Sequence, residues 1–130
     1  MVIDASALVA ILQGEPEAER FSAAIAGDPA RLVGVVTLLE SATVIEARNG
    51  EEGGRDLDLL VYRGGLRVVD MTVEQGEVAR AAWRRFGKGR HPAHLNIGDC
   101  CAYALAKVSG EPLLFKGDDF AKTDVAVAPF

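Results

Sequence analysis

The chain has 130 residues, 49% of them hydrophobic and 25% charged, with 14 Lys and Arg against 19 Asp and Glu for a formal charge of −5. That length suits a single domain over residues 1–130 with a core large enough to need no metal or disulfide staple, and the apolar content excludes an intrinsically disordered chain. A sequence pI near 5.0 excludes a protein that coats nucleic acid by bulk charge, and no apolar run approaches the ~20 residues of a membrane span.

The first residues, Met1-Val2-Ile3-Asp4, have neither the basic stretch nor the long apolar core of a signal peptide. They read as a short buried strand. Helices are predicted over residues 6–12 and 16–26, the second with Pro16 in its first turn. A strand over 31–35 leads into a helix over 37–48, which Glu51-Glu52-Gly53-Gly54 should break before a further helix over 55–62. Residues 66–70 read as a third strand, followed by a helix over 73–86 with Asp70 as its cap. Gly87 to Pro92 is a loop on glycine and proline grounds. Asn96 can cap a helix that runs to Val108 and stops at Ser109-Gly110. Residues 113–115 form a fourth strand and 125–127 a candidate fifth. Short apolar runs alternating with helices indicate an α/β fold with a mainly parallel central sheet. Cys100 and Cys101 are adjacent and unsuited to tying distant elements together, so the expected compartment is the cytoplasm.

Four acidic positions stand out. Asp4 ends the first strand, where open parallel sheets collect ligands, although an acid there is equally a helix N-cap. Glu40 lies early in a helix that is apolar on most sides, so it occupies either the solvated stripe or a polar pocket. Asp99 stands just before Cys100-Cys101-Ala102-Tyr103-Ala104-Leu105-Ala106, a segment apolar all round. It either complements the helix dipole or answers to a partner that this segment does not contain. Asp118 and Asp119 follow the fourth strand, at the same sheet edge as Asp4. Were these acids to converge, two unit charges 4 Å apart would repel by ~4 kcal/mol at an effective dielectric of 20. A hard cation such as Mg²⁺ or Mn²⁺ relieves that repulsion and can activate water at a phosphoryl group.

In order along the chain, residues 2–12 (VIDASALVAIL), Thr37-x-x-Glu40, Asn96-x-x-Asp99-Cys100 and residues 113–124 (LLFKGDDFAKTD) resemble the PIN-domain ribonucleases, and most closely the VapC toxins of bacterial type II toxin–antitoxin modules. The resemblance implies a PIN-like three-layer α/β/α fold and a Mg²⁺- or Mn²⁺-dependent endoribonuclease. It implies an acidic core of Asp4, Glu40 and Asp99 supported by Ser6, Thr37 and Asn96, with a fourth acid from Asp118 or Asp119, of which Asp118 is preferred. It also implies a VapB-like antitoxin partner, with a basic side chain that enters the acidic pocket, and a homodimer, for which Phe21, Leu57, Leu59, Leu60 and Tyr62 are candidate interface residues.

Arg84, Arg85, Lys88, Arg90, His91 and His94 make a positive island in this acidic chain. Beside Trp83, Phe86 and two glycines, the arginines and Lys88 are candidates for RNA backbone contact. Lys116 could hold a phosphate or pair with the neighbouring acids. His91-x-x-His94 has no second ligand pair for zinc. Two rivals stand beside the nuclease: a receiver-like signalling domain phosphorylated on Asp70 with Lys116 as its strand-end lysine, and a non-catalytic PIN-like module that only binds RNA or a partner.

Overall fold

The computed structural model describes residues 1–130. It contains strands β1 (Val2–Ile3), β2 (Leu32–Gly34), β3 (Arg67–Val69) and β4 (Leu113–Leu114), with helices α1 (Ala5–Leu12), α2 (Ala18–Gly27), α3 (Val35–Arg63), α4 (Val73–Phe86) and α5 (Ile97–Ser109). All strand pairs are parallel, in the spatial order β3-β2-β1-β4, with Val2 opposite both Leu32 and Leu113. The chain lays down β1, β2 and β3 in one direction and then crosses back to set β4 on the other side of β1. Strand order therefore reverses at β1, and the crevice beyond the carboxyl ends of β1 and β4 is where such sheets bind ligands.

Alternation along the strands divides the core into two layers. Val2 and Leu113 face Ala82, Phe86, Tyr103 and Leu105 on α4 and α5. Ile3, Val33 and Leu114 face Leu8, Phe21, Ile25 and Leu57 on α1, α2 and the second half of α3. With helices on both faces, the strands read as unbroken apolar runs, and the architecture is three-layered α/β/α. No helix is long and apolar enough to cross a membrane.

Several local expectations are corrected. The helical break falls at Gly50 (φ 66°, ψ −161°), inside α3, and not over 51–54. A positive φ is nearly free for glycine, and Glu51 and Glu52 then sit where a helix N-terminus favours acids. Gly53 stays helical against the first half, where a Cβ would meet Ile45 Cγ2 at 2.7 Å. Pro16 lies in the turn before α2, which starts at Ala18. Thr72, not Asp70, caps α4, its hydroxyl accepting the Gln75 N–H at 3.1 Å. Residues 125–127 contribute one parallel bridge, Leu113 with Val127, and no full strand. Phe21 and Leu57 are core residues, 0% and 1% exposed, and Leu60 packs against the same layer. Of the expected interface residues only Leu59 and Tyr62 are exposed, at 44% and 84%.

Candidate active site

The turn from β1 into α1 places Asp4 at the strand-order reversal. Its extended backbone (ψ 158°) makes it the N-cap of α1, and Oδ2 accepts both the Ser6 N–H at 3.0 Å and the Ser6 hydroxyl at 2.6 Å. Ser6 Oγ in turn accepts the Lys116 N–H at 2.9 Å, and the Asp4 N–H donates to the Leu114 carbonyl at 2.9 Å. The supporting part expected of Ser6 is thus physical: one hydroxyl orients Asp4 and ties the ends of β1 and β4 together. Asp4 is 3% exposed, and its Oδ1 is buried with no hydrogen-bond partner. Burial pushes its carboxyl above the usual range despite the lowering effect of the Ser6 bonds. A buried, unpartnered carboxylate oxygen calls for a cation or a proton.

Glu40 reaches the same region from the first half of α3, and Asp99 from the first turn of α5. Burial raises the Glu40 carboxyl to about 6, with the charges of Asp4 and Asp99 adding to the effect. Asp99 also rises to about 6, through burial first and then Asp4 and Asp119, against a lowering hydrogen bond from Asn96. Asp99 is held at the start of α5. Its Oδ2 accepts the Asn96 N–H at 3.0 Å while Asn96 Oδ1 accepts the Asp99 N–H at 2.8 Å, a reciprocal capping box. The same carboxylate also lies within the field of Asp4. Asn96 therefore positions Asp99, as expected. Thr37 is fully buried one turn before Glu40, where its carbonyl accepts the Ser41 hydroxyl at 2.8 Å, so its part is to seat α3.

Sequence reasoning gave Gly98 no role. The Glu40 carboxylate packs directly on it: a Cβ at Gly98 would lie 2.6 Å from Glu40 Cδ and 2.7 Å from Oε1. Without that glycine the two acids could not approach as they do. The available signal was a glycine in the first turn of an otherwise apolar helix, immediately before an acid.

The loop after β4 supplies Asp118 and Asp119, both exposed. Among the charges that raise Asp99, the loop's contribution is Asp119. Asp119 is thus the loop acid whose charge reaches Asp99, while Asp118 is its exposed neighbour in the same loop. No three His, Cys, Asp or Glu side chains form a ready-made metal cage. A small divalent ion nevertheless needs only one or two direct carboxylates and keeps several waters. The all-oxygen donors, their mutual repulsion and the unpartnered Asp4 Oδ1 fit such an ion.

The positive residues divide into free and committed. Arg84 and Lys88 are exposed, and no carboxylate lies within ion-pair distance of either. The Arg90 guanidinium stacks 4.3 Å over the Trp83 ring. Arg85 is committed to Asp124 at 3.4 Å and to the Phe86 ring at 4.7 Å. Lys116 is committed as well, to Glu15 at 2.7 Å and Glu17 at 3.1 Å. Neither is placed as a free phosphate contact, because carboxylates distant in sequence already neutralise them. His91 accepts the Ala93 N–H on Nδ1 at 3.0 Å and packs edge-on against Phe86, a structural part. The receiver-like constellation does not assemble: Asp70 follows the edge strand β3, with β2 between it and Asp4, and Lys116 is held by α1-side acids.

Comparison with known proteins identifies the family and the fold. The PIN domain family matches residues 1–126. Ribonuclease VapC30 of Mycobacterium tuberculosis is 58% identical over 126 residues, covering 97% of this chain and 96% of that protein. The crystal structure of M. tuberculosis VapC20, described as a Sarcin-Ricin loop cleaving toxin, superposes with a TM-score of 0.79 at 19% identity over 98% of both chains. A toxin–antitoxin complex from Klebsiella pneumoniae matches in fold with a TM-score of 0.72 at 18% identity, covering 99% of this chain and 97% of that one.

Proposed function

Because this chain belongs to the PIN-domain family, within its VapC ribonuclease branch, we propose that it is a divalent-cation-dependent endoribonuclease acting as the toxin of a VapBC-type module. The observation that carries this reading is that Asp4, Glu40 and Asp99 come from three separate elements to the sheet's strand-order reversal, where the charge of Asp4 raises both other carboxyls and Glu40 packs on Gly98 beside Asp99. Asp4 and Asp99 are the residues best suited to hold Mg²⁺ or Mn²⁺, with Glu40 and Asp119 adding negative field. When bound, such an ion supplies Lewis-acid charge at a phosphoryl oxygen and lowers the pKa of a neighbouring water. The chain's own residues do the positioning. Ser6 fixes the rotamer of Asp4, Asn96 that of Asp99, and Gly98 admits Glu40. Burial raises the Glu40 and Asp99 carboxyls in the absence of an ion, so a bound cation is what would hold them charged at neutral pH. Arg84, Lys88 and Arg90 offer charge to the RNA backbone.

The partners follow from the same surfaces. An antitoxin that presents a basic side chain to the acidic pocket would neutralise it in place of the ion, and its gene is expected as a short upstream reading frame with a DNA-binding N-terminus. Leu39, Leu59 and Tyr62, 65%, 44% and 84% exposed on α3, are the face for a second copy. Cytoplasmic RNA is the substrate pool. The test is cleavage mapping of cellular RNA after induction, comparing the parent with Asp99→Asn. New 5′ ends at defined sites with the parent alone support the reading. Identical ends with both proteins, or full toxicity of Asp4→Asn and Asp99→Asn, overturn it.

A further inference from the structure

Beside the acid pocket lies a second concavity that the fold does not need. α4 and the start of α5 enclose a groove of about 320 Å³, lined chiefly by Met71, Ala79, Trp83, Ile97, Cys100 and Cys101. Its apolar side chains are not all sequestered: Ile97 is 78% exposed and Trp83 39%. Gly76 also lines it, and a Cβ there would meet nothing within 4 Å. The one charged residue in the lining is Arg80, and Arg90 stacks on Trp83 at the same end of α4.

We propose that this groove is a nucleobase subsite, holding the unstacked base of a nucleotide next to the scissile phosphate. The proposal rests on the ribonuclease reading and adds to it where the neighbouring base goes. Continuity is the first argument. Ile97, Cys100 and Cys101, which line the groove, flank Asp99 in the first turn of α5. Groove and acid pocket are therefore two faces of the same turn of α5. Chemistry is the second. An apolar floor with an aromatic wall accepts the π-face of a base, while a rim carrying arginine and no carboxylate accepts the sugar-phosphate backbone on either side.

Two variants test the proposal without disturbing the core. Gly76→Phe fills the groove from an open position, and Ile97→Ser removes an exposed apolar contact. Cleavage of short single-stranded RNAs is measured in Mg²⁺, and binding of the same RNAs is measured by fluorescence anisotropy in an Asp99→Asn background. Loss of one stacked base is expected to weaken binding by about 10- to 100-fold for Gly76→Phe and less for Ile97→Ser. The salt dependence of binding stays unchanged, because no phosphate contact is lost. An RNA abasic at the nucleotide beside the cut should bind parent and variants alike. If the parent cleaves RNA and both variants bind and cleave equally well, the subsite is refuted while the ribonuclease reading stands. Variants that lose only antitoxin binding give the groove to a protein and refute it too. If the parent cleaves no RNA, the ribonuclease reading falls and takes the subsite with it.

Discussion

Two groups of carboxylates in this protein live under opposite conditions. Along the second half of α3, Glu51, Glu52, Asp56 and Asp58 are all exposed, spread over a helix in water. At the reversal of strand order, Asp4, Glu40 and Asp99 are buried or half-buried; burial raises all three carboxyls, and the charge of Asp4 adds to the rise of the other two. The sequence holds more acids in the first group than in the second, so number and clustering along the chain do not make a site. Water stabilises charges on a helix surface, whereas charges brought together in a shared low-dielectric recess need a counter-charge.

The sharpest way to break this contrast is to neutralise one acid from each group. Asp4→Asn should lower RNA cleavage by at least about 100-fold, while Glu52→Gln should leave it within about twofold. Asp4→Asn should not lower the melting temperature at pH 7, since the native carboxylate is a buried charge that the amide removes. A variant that unfolds would show Asp4 to be structural first. Next in size is Gly98→Ala. Alanine in place of glycine within a helix is worth up to about 1 kcal/mol of stability, so a purely structural role predicts a sturdier, fully active protein. Displacement of Glu40 predicts at least a tenfold loss of cleavage and weaker Mn²⁺ binding by titration calorimetry. Combination with Glu40→Asp, which draws the carboxylate back, should then be less than additive.

The loop acids sharpen the comparison further. Asp119→Asn should reduce cleavage about tenfold and Asp118→Asn by no more than about twofold, measured at one fixed Mg²⁺ concentration. Equal effects would mean that Asp99 senses the loop as a whole. The smallest effect is on stability. Glu40 and Asp99 titrate near 6 in the folded chain against 4.5 and 3.8 for the free groups. The folded state therefore holds these protons more tightly, and the resulting stabilisation is complete below about pH 4 and lost as pH rises through about 6. Asp28 and Asp124 are shifted downward by hydrogen bonds, to Ala30 and Tyr103 foremost. Their contribution is lost only at more acid pH and leaves this window clear. In chelator, the melting temperature should fall by about 2–5 °C between pH 5 and pH 7. Mg²⁺ should restore it at pH 7.

Much of the frame was legible because it depends on local pattern. Residues 1–3 and 113–115 are apolar on both faces, as strands covered by two helical layers must be, and Asp4 and Asp99 were conspicuous as charges bordering apolar segments. Features that depend on contacts distant in sequence were not legible. The partners of Lys116 are Glu15 and Glu17, about a hundred positions away. The choice between Asp118 and Asp119 turns on one step of loop direction. Gly50 took the kink expected of its neighbours because the packing of Gly53 on Ile45 holds that pair inside the helix. Gly98 acts by what it lacks, and a missing side chain leaves no mark on hydropathy.

The bridge from Asp4 through Ser6 to the Lys116 amide ties the inner strand β1 to its neighbour β4 at the sheet's edge. The seat of Asp4 is thus continuous with the parallel pairing of β1 and β4. A chain that has folded is already armed. Restraint in the cell is then expected from something that stoppers the mouth, since the seat of Asp4 is built into the strand pairing itself.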